Sequence, residues 1–523
     1  MKKISLVLLV LFLLVGLFGC RKEEEDLIVV DDDNYLVVNG VRTDFLVKNP
    51  EEIVNLGISS DGYWIIDNEV TNYQQNTPIE ISLEDGFLVI FDYKTNIKVK
   101  EEEIVSEEFK NVGPLFPHVT EAMLTPECWI AMHEDAYDVI LNEDEIKAFN
   151  KNTLSIANTK TKNILELNDK IANVDLINLI EELKLPNYNY LDNKEITTEN
   201  KDALHSKRNL DEIAEEVSLK YGIMIDNAAI RTFPTNRKLT SSIDGNFDYF
   251  QETGIKLGEG VVIYHQTKDG DWSFVSSNNY NGWIETKYIA TCEKNELKDF
   301  INSENFLIIT GEKLSLSNSS YTPEIKDLVL LMGTKLPLLE NPPLVVDRRI
   351  TSNCYVVRIP RSDENGNLKL VDVVIPATQD VSNGYLPYTK ANMFTQALKL
   401  LGTPYGWGDM DNNRDCSSTV SAVYNCFGFL MPRNTSSQDD IPGEVSRISE
   451  AEVGALIFTP GHVLLYLGSV DNRHYALHNF SQYRESSTSE TKLAMSCNIT
   501  TLNLVRSTGQ MYLTSISKVI SMQ

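Results

Sequence analysis

An aspartate followed at once by a cysteine, at the start of an amphipathic stretch, could do nucleophilic chemistry. In RDCSSTVSAVYNCFGFLMPRN (residues 414–434), Val420, Val423, Tyr424 and Phe427 recur at i, i+3, i+4 and i+7, one apolar face of a helix. Asp415 and Ser417 are both types that favour a helix start. Cys416 is therefore placed where free N–H groups favour a thiolate. A thiolate nucleophile needs a base within hydrogen-bond reach. His462 opens the strand-like HVLLYLG, and His478 lies in HYALHNF. A hairpin centred near residue 470, in SVDNR, would pair residues whose numbers sum to 940. That register sets His462 opposite His478 and His474 opposite Tyr466, about 13 Å along the strand. It selects His478 over His474 as the group that orients His462. From these residues alone, a core cysteine with structural histidines and a catalytic set are both open readings.

The rest of the chain bounds what such a set could serve. Its 523 residues allow three to five domains, and 42% apolar with 23% charged residues is a globular composition. A net charge of −28 argues against nucleic acid and against anionic membrane surfaces as partners, while substrates bearing an amine are compatible with it. MKKISLVLLVLFLLVGLFGC reads as an export signal over residues 1–19: two lysines, a short apolar run, then Gly19-Cys20. LFGC resembles the lipobox of bacterial lipoproteins, which implies lipidation of Cys20, an acidic tether over 20–33 and a membrane-anchored protein facing the periplasm or cell exterior. The other six cysteines (Cys128, Cys292, Cys354, Cys416, Cys426, Cys497) show no C-x-x-C spacing, so neither a disulfide framework nor a zinc site follows.

Several elements must position the candidate residues. Residues 34–115 are acidic and strand-like, with FLVIFDY as a buried strand and no evident chemistry. Residues 116–221 turn helical: Thr125-Pro126 marks one helix start, and Asn142 with Glu145 forms a capping-box arrangement with Leu141 and Ile146 as its staple. Residues 222–292 and 293–385 return to short strands, with an Asp-Gly hairpin turn in VVIYHQTKDGDWSFV, and two small all-β barrels are expected there. In residues 386–523, Thr389 caps a helix that Gly402 and Pro404 stop; the cysteine helix and the strands GALIF, HVLLYLG and HYALHNF follow. That order is α+β.

LGTPYGWGDMDNNRDCSSTVSAVYNCFGFLMPRNTSSQ and GALIFTPGHVLLYLG…YALHNF resemble the two halves of the NlpC family of papain-like cell-wall cysteine peptidases. The resemblance implies Cys416 as nucleophile, His462 as base, His478 as the residue orienting the imidazole, and Tyr405 beside the nucleophile, with no metal or cofactor. Ala455 stands where relatives often have aspartate, and Ser418 where many have glycine. RTFPT and YNGW look like the first bacterial SH3-like domain of γ-D-glutamyl-L-diamino-acid endopeptidases, GTKLPL and GYLPYTKANMFTQALKLLG like the linker region after a second such domain, and LTPECWIA…LNEDEIKAFNKN like the helical clip of larger members. In such relatives the first SH3-like domain closes the cleft, which implies peptidoglycan stem peptides with a free N-terminal L-Ala as substrates. Asp415, Ser417 and Tyr280 match the amine-binding positions. An amidase or acyltransferase of the same fold, and a wall-binding lipoprotein with an inactive peptidase domain, are the alternatives.

Overall fold

The computed structural model describes residues 112–522 throughout and, N-terminal to them, strand segments between 28 and 98. The export signal and Cys20 lie outside the described residues, as does most of the 20–33 tether. The chain divides into two units, Met1–Lys110 and Asn111–Gln523. In the first, nine described strands form three antiparallel three-stranded sheets. FLVIFDY supplies the Phe87–Ile90 strand, with Val89 and Ile90 buried and Phe91 stacked on Tyr73 at 4.2 Å.

In the second unit the helix caps form where the residue types placed them. Thr125 accepts the N–H of Cys128 ahead of the Pro126–Ile130 helix. Asn142 and Glu145 close a capping box on the Glu143–Ser155 helix, satisfying N–H groups that the first turn leaves unpaired. Trp129, Ile146 and Phe149 from this segment join the core of the C-terminal region with Phe394, Tyr424 and Phe427.

The strands that follow form a seven-stranded antiparallel sheet. Its order is Gln251–Ile255, Ala228–Arg231, Asn281–Glu285, Trp272–Ser276, Gly260–Gln266, Lys220–Met224, Ile289–Cys292. The expected barrel does not close, because each edge is paired elsewhere. At one edge Gly254 N–H donates to Asp409 Oδ2 at 3.2 Å and Gln251 Nε2 to the Gly408 carbonyl at 2.8 Å. At the other, Thr291 N–H donates to the Gly366 carbonyl at 2.9 Å. An edge N–H engaged outside the sheet is not available to pair with the far end of that sheet. The second block is also open, built of two- and three-stranded pieces. It buries Leu307, Val357 and Ile375 in one core with Phe274 and Trp283 of the first block and Leu297 of the helix between them.

The last region is helix on sheet. Thr389 accepts the N–H of Asn392 to cap the Lys390–Leu398 helix. That helix and the Cys416–Asn425 helix pack on a sheet ordered Glu444–Val445, Lys518–Ser521, Leu456–Thr459, His462–Val470, Arg473–Arg484, Lys492–Thr501. The two inner histidine strands thus lie under the helix that carries the cysteine. The architecture is multidomain with an α+β C-terminal region, and the sheets of both strand-rich blocks are open.

Candidate active site

Asp415 is the N-cap of the Cys416–Asn425 helix. Its Oδ1 accepts the Ser418 N–H at 3.0 Å, while its own N–H donates to Ser418 Oγ at 2.9 Å. Cys416 is the first helical residue and 9% exposed; Val420, Val423 and Phe427 behind it are in the core. The thiol lies 3.6 Å from Thr435 Oγ1 and faces the backbone N–H of Val463, next to His462. At rest it is not the thiolate that the helix terminus was expected to favour. Burial first, then the Asp415 charge, push the thiol up to about 11, against Val463, Thr435 and Arg433. The N-cap adds to this, because the helix-terminal N–H of Ser418 is engaged by the Asp415 carboxylate and not by the sulfur. Cys426 is fully buried, its sulfur 3.5 Å from the Ala422 carbonyl, as a core cysteine would be.

His462 Nε2 is 2.8 Å from His478 Nδ1, and His478 Nε2 is 2.9 Å from Thr500 Oγ1. One arrangement of protons lets His462 act as a base. His462 Nε2–H donates to His478, His478 Nε2–H donates to Thr500, and His462 Nδ1 is left as the lone pair for the thiol proton. Burial, then the positive charge of Arg506, lower His462 to about 3. Burial and the neighbouring His462 hold His478 well below the ordinary imidazole range. The resting set is a neutral thiol with neutral imidazoles, suited to general-base transfer. Thr500 was not singled out by the sequence, since no local motif marks a threonine on the next strand.

The two histidines meet through a register that differs from the expected one. Near the turn, partners such as Val470 and Arg473 sum to 943; beyond a bulge between Tyr466 and Gly468 they sum to 942, as in Leu465 with Leu477. His462 is therefore a diagonal neighbour of His478 and not its direct partner. His474 pairs with Ser469, although its ring still reaches Tyr466 Oη at 2.9 Å. The bulge decides the outcome. Continued from the turn without it, the odd register would put His462 and His478 on opposite faces. Gly468, at φ +131°, supplies the backbone conformation next to the extra residue.

The other singled-out residues gather around a buried arginine. Arg433, 6% exposed, donates to Asp415 Oδ2 at 2.8 Å, to Ser417 Oγ at 2.9 Å and, through Nε, to Thr253 Oγ1; Asp409 Oδ2 lies 3.1 Å away. Burial opposes the charge on Asp415, but Arg433 outweighs it and holds the carboxyl below its ordinary range. Ser417 Oγ donates to Asp415 Oδ1 at 3.0 Å. Tyr405 is raised by burial first and then by the Asp415 carboxylate, with Phe247 edge-on at 5.9 Å. Tyr280 donates its hydroxyl to Glu252 and hydrogen-bonds the side chain of Asn434, the residue before Thr435. Glu252 in turn accepts from Thr232 Oγ1 at 2.6 Å. Arg433 was visible in the sequence only as part of a Pro-Arg-Asn motif, and Glu252 not at all; their importance comes from contacts between distant segments.

Residues 402–497, which contain Cys416, His462 and His478, match the model of the NlpC/P60 family, and residues 238–285 match that of the SH3 domain, SH3b1 type. Dipeptidyl-peptidase 6 of Lysinibacillus sphaericus is 34% identical over 89 residues, 17% of this chain and 33% of that protein, so the match spans a third of the relative's length. An NlpC/P60 endopeptidase from Photobacterium damselae subsp. piscicida superposes with a TM-score of 0.61 at 17% identity, covering 78% of this chain and 97% of that one, which shows a shared fold. An NlpC/P60 family protein from Bacillus cereus ATCC 10987 superposes more loosely, with a TM-score of 0.41 at 18% identity over 58% of this chain and 99% of its own.

Proposed function

Because the chain carries an NlpC/P60-family domain and an SH3b domain, we propose that it is a cysteine peptidase that hydrolyses the γ-D-glutamyl–diamino-acid bond of peptidoglycan stem peptides with a free N-terminal L-Ala. The observation that carries the reading is the Cys416 thiol on a helix terminus facing the strand of a His462–His478–Thr500 relay. Cys416 Sγ attacks the scissile carbonyl as its proton passes to His462 Nδ1, and His462 then delivers that proton to the leaving amine. His478, anchored on Thr500, keeps the imidazole in the required tautomer. The backbone N–H of Cys416, a first-turn group without an intrahelical partner, is available to the developing oxyanion. Water then hydrolyses the thioester. The name of the Lysinibacillus relative, a dipeptidyl peptidase, fits a cut after a two-residue L-Ala-γ-D-Glu unit. In this reading Cys20 is lipidated and the enzyme works outside the cytoplasm in wall turnover or recycling.

The N-terminal preference rests on Asp415 and the residues around it. An ammonium group reaching Asp415 Oδ2, which holds one hydrogen bond from Arg433, would gain a charge-assisted bond of about 1.5–3 kcal/mol. Tyr280, fixed on Glu252, is the wall that acylated amines would meet. The test is kcat/KM for L-Ala-γ-D-Glu-diamino-acid against its N-acetylated form, with products identified by mass spectrometry. Discrimination of roughly ten- to hundred-fold is expected. Equal values would remove amine recognition, and cleavage at another bond would replace the endopeptidase with an amidase or acyltransferase.

A further inference from the structure

Arg506 stands against the segment that leads into the His462 strand. It belongs to a two-residue strand, Val505–Arg506, paired with Tyr483 and Arg484, and a tight turn follows it. Its Nη2 donates to the Pro460 carbonyl at 2.6 Å, two residues before His462, and its guanidinium stands 5.7 Å from the centre of the Tyr512 ring. Tyr512 in turn packs 5.6 Å from the His462 ring and 4.9 Å, edge-on, from His478. Among the described residues no carboxylate pairs with Arg506, and the Tyr512 hydroxyl finds no hydrogen-bond partner. The other arginine at this site, Arg433, is neutralised by Asp409 and Asp415. In a chain with 75 acidic residues against 47 lysines and arginines, a half-buried guanidinium left without a carboxylate next to the base needs a reason.

We infer that Arg506 and the Tyr512 hydroxyl form a carboxylate-binding subsite for the leaving half of the substrate, a further specificity determinant that rests on the endopeptidase reading. In the endopeptidase reading Asp415 takes the amine end of the acyl half, whereas Arg506 and Tyr512 stand at Pro460 and His462, the residue that hands its proton to the leaving amine, and the pair is therefore assigned to the group that departs. A guanidinium presents a planar fork that matches a carboxylate, and a phenol can add a third donor. The placement also serves the proton transfer. The unpaired charge of Arg506 opposes protonation of His462, and a carboxylate docked on it cancels that repulsion as the imidazole takes the thiol proton. The carboxylate is either the C-terminal group of the diamino acid or a second carboxyl on its side chain.

Four substrates separate the possibilities: L-Ala-γ-D-Glu-L-Lys as free acid and as C-terminal amide, the meso-diaminopimelate peptide, and the lysine peptide with D-isoglutamine at position two. The wild type should lose roughly ten- to hundred-fold in kcat/KM on C-terminal amidation, partly in kcat, unless the diaminopimelate side chain supplies the group instead. Arg506→Gln should bring the ratio of acid to amide near one, and Tyr512→Phe, which keeps the ring, should reduce it in part. If Arg506→Gln lowers both substrates by the same factor, the residue only braces the Pro460 turn and the inference is overturned. If the D-isoglutamine peptide alone is penalised, Arg506 reads the acyl half, which also overturns it. Affinities of the Cys416→Ala protein for acid and amide peptides, by calorimetry, report on the subsite without turnover. Equal affinities there reject the subsite even if the wild type cleaves, whereas an acid preference in the absence of any cleavage rejects the endopeptidase reading alone.

Discussion

Burial holds the Cys416 thiol above, and His462 and His478 below, their ordinary pKa values, and this sets the pH behaviour expected of them. In the proposed mechanism His462 must be neutral to accept the thiol proton, and burial together with Arg506 holds it down to about 3. The acid limb of kcat/KM should therefore lie well below the ordinary imidazole value of about 6.5, with activity retained near pH 5 in brief assays. A limb close to 6.5 would mean that water in the cleft solvates the ring. His478, 1% exposed, gives a stability prediction. Burial, then His462, lower its folded pKa, so the unfolded chain binds a proton there that the folded chain refuses. The stabilising contribution is complete above about pH 6.5 and declines as pH falls below it, by up to roughly 1.4 kcal/mol per unit. His478→Gln removes this linkage. The melting temperature of the variant should fall less steeply than that of the wild type between pH 6.5 and 5; parallel slopes would assign the acid sensitivity to other groups.

The histidine hairpin shows how one backbone irregularity serves a site. Its turn, at Asp471 and Asn472 with φ of +50° and +60°, starts the ladder in an odd register, and the bulge before Gly468 converts it to an even one. A Cβ on Gly468 would meet no atom within 4 Å, so any cost of substitution belongs to the backbone alone. Gly468→Val forces a β-branched residue to φ +131° or removes the bulge. We expect a loss of about 1–3 kcal/mol, seen as a lower melting temperature, with a fall in kcat as His462 and His478 separate. Wild-type melting and turnover in that variant would show that any residue can make the bulge.

Across the second unit, the SH3-like block and the region that carries Cys416 are joined through Asp409 and Arg433. Gly254 N–H and Thr253 Oγ1 both reach Asp409, at 3.2 Å each, and Arg433 ties that carboxylate to Asp415. Burial raises the Asp409 pKa against the pull of Arg433, and its Oδ1 has no partner among the described residues. A Cβ on Gly254 would come 2.9 Å from Asp409 Cβ. Gly254→Ala should thus push the edge strand away from the site while sparing the catalytic core. The expected result is a reduced preference for the free over the N-acetylated peptide, with N-acetyl turnover held. An unchanged preference would mean that the block does not shape the amine end of the cleft.

What the sequence determined by itself are the features set within a few residues. Asp415 as N-cap, the apolar face behind Cys416, the Asn142–Glu145 box and the Asp-Gly hairpin turn are legible because backbone capping and side-chain periodicity are local. Even the face shared by His462 and His478 was legible, though by an even register of 940 where the structure has 942. A two-residue slip preserves the face, so the pairing of the histidines survived an error in the turn. What only the tertiary structure decided involves segments far apart in the chain. Thr500 as the end of the relay, Arg433 between two carboxylates, the open edges taken by Asp409 and Gly366, and Arg506 beside His462 all depend on which strands become neighbours. Part of the protonation state belongs there too: a thiol at a helix terminus is expected to ionise, but burial, which the fold imposes, together with the carboxylate of the preceding residue Asp415, raises the Cys416 thiol instead.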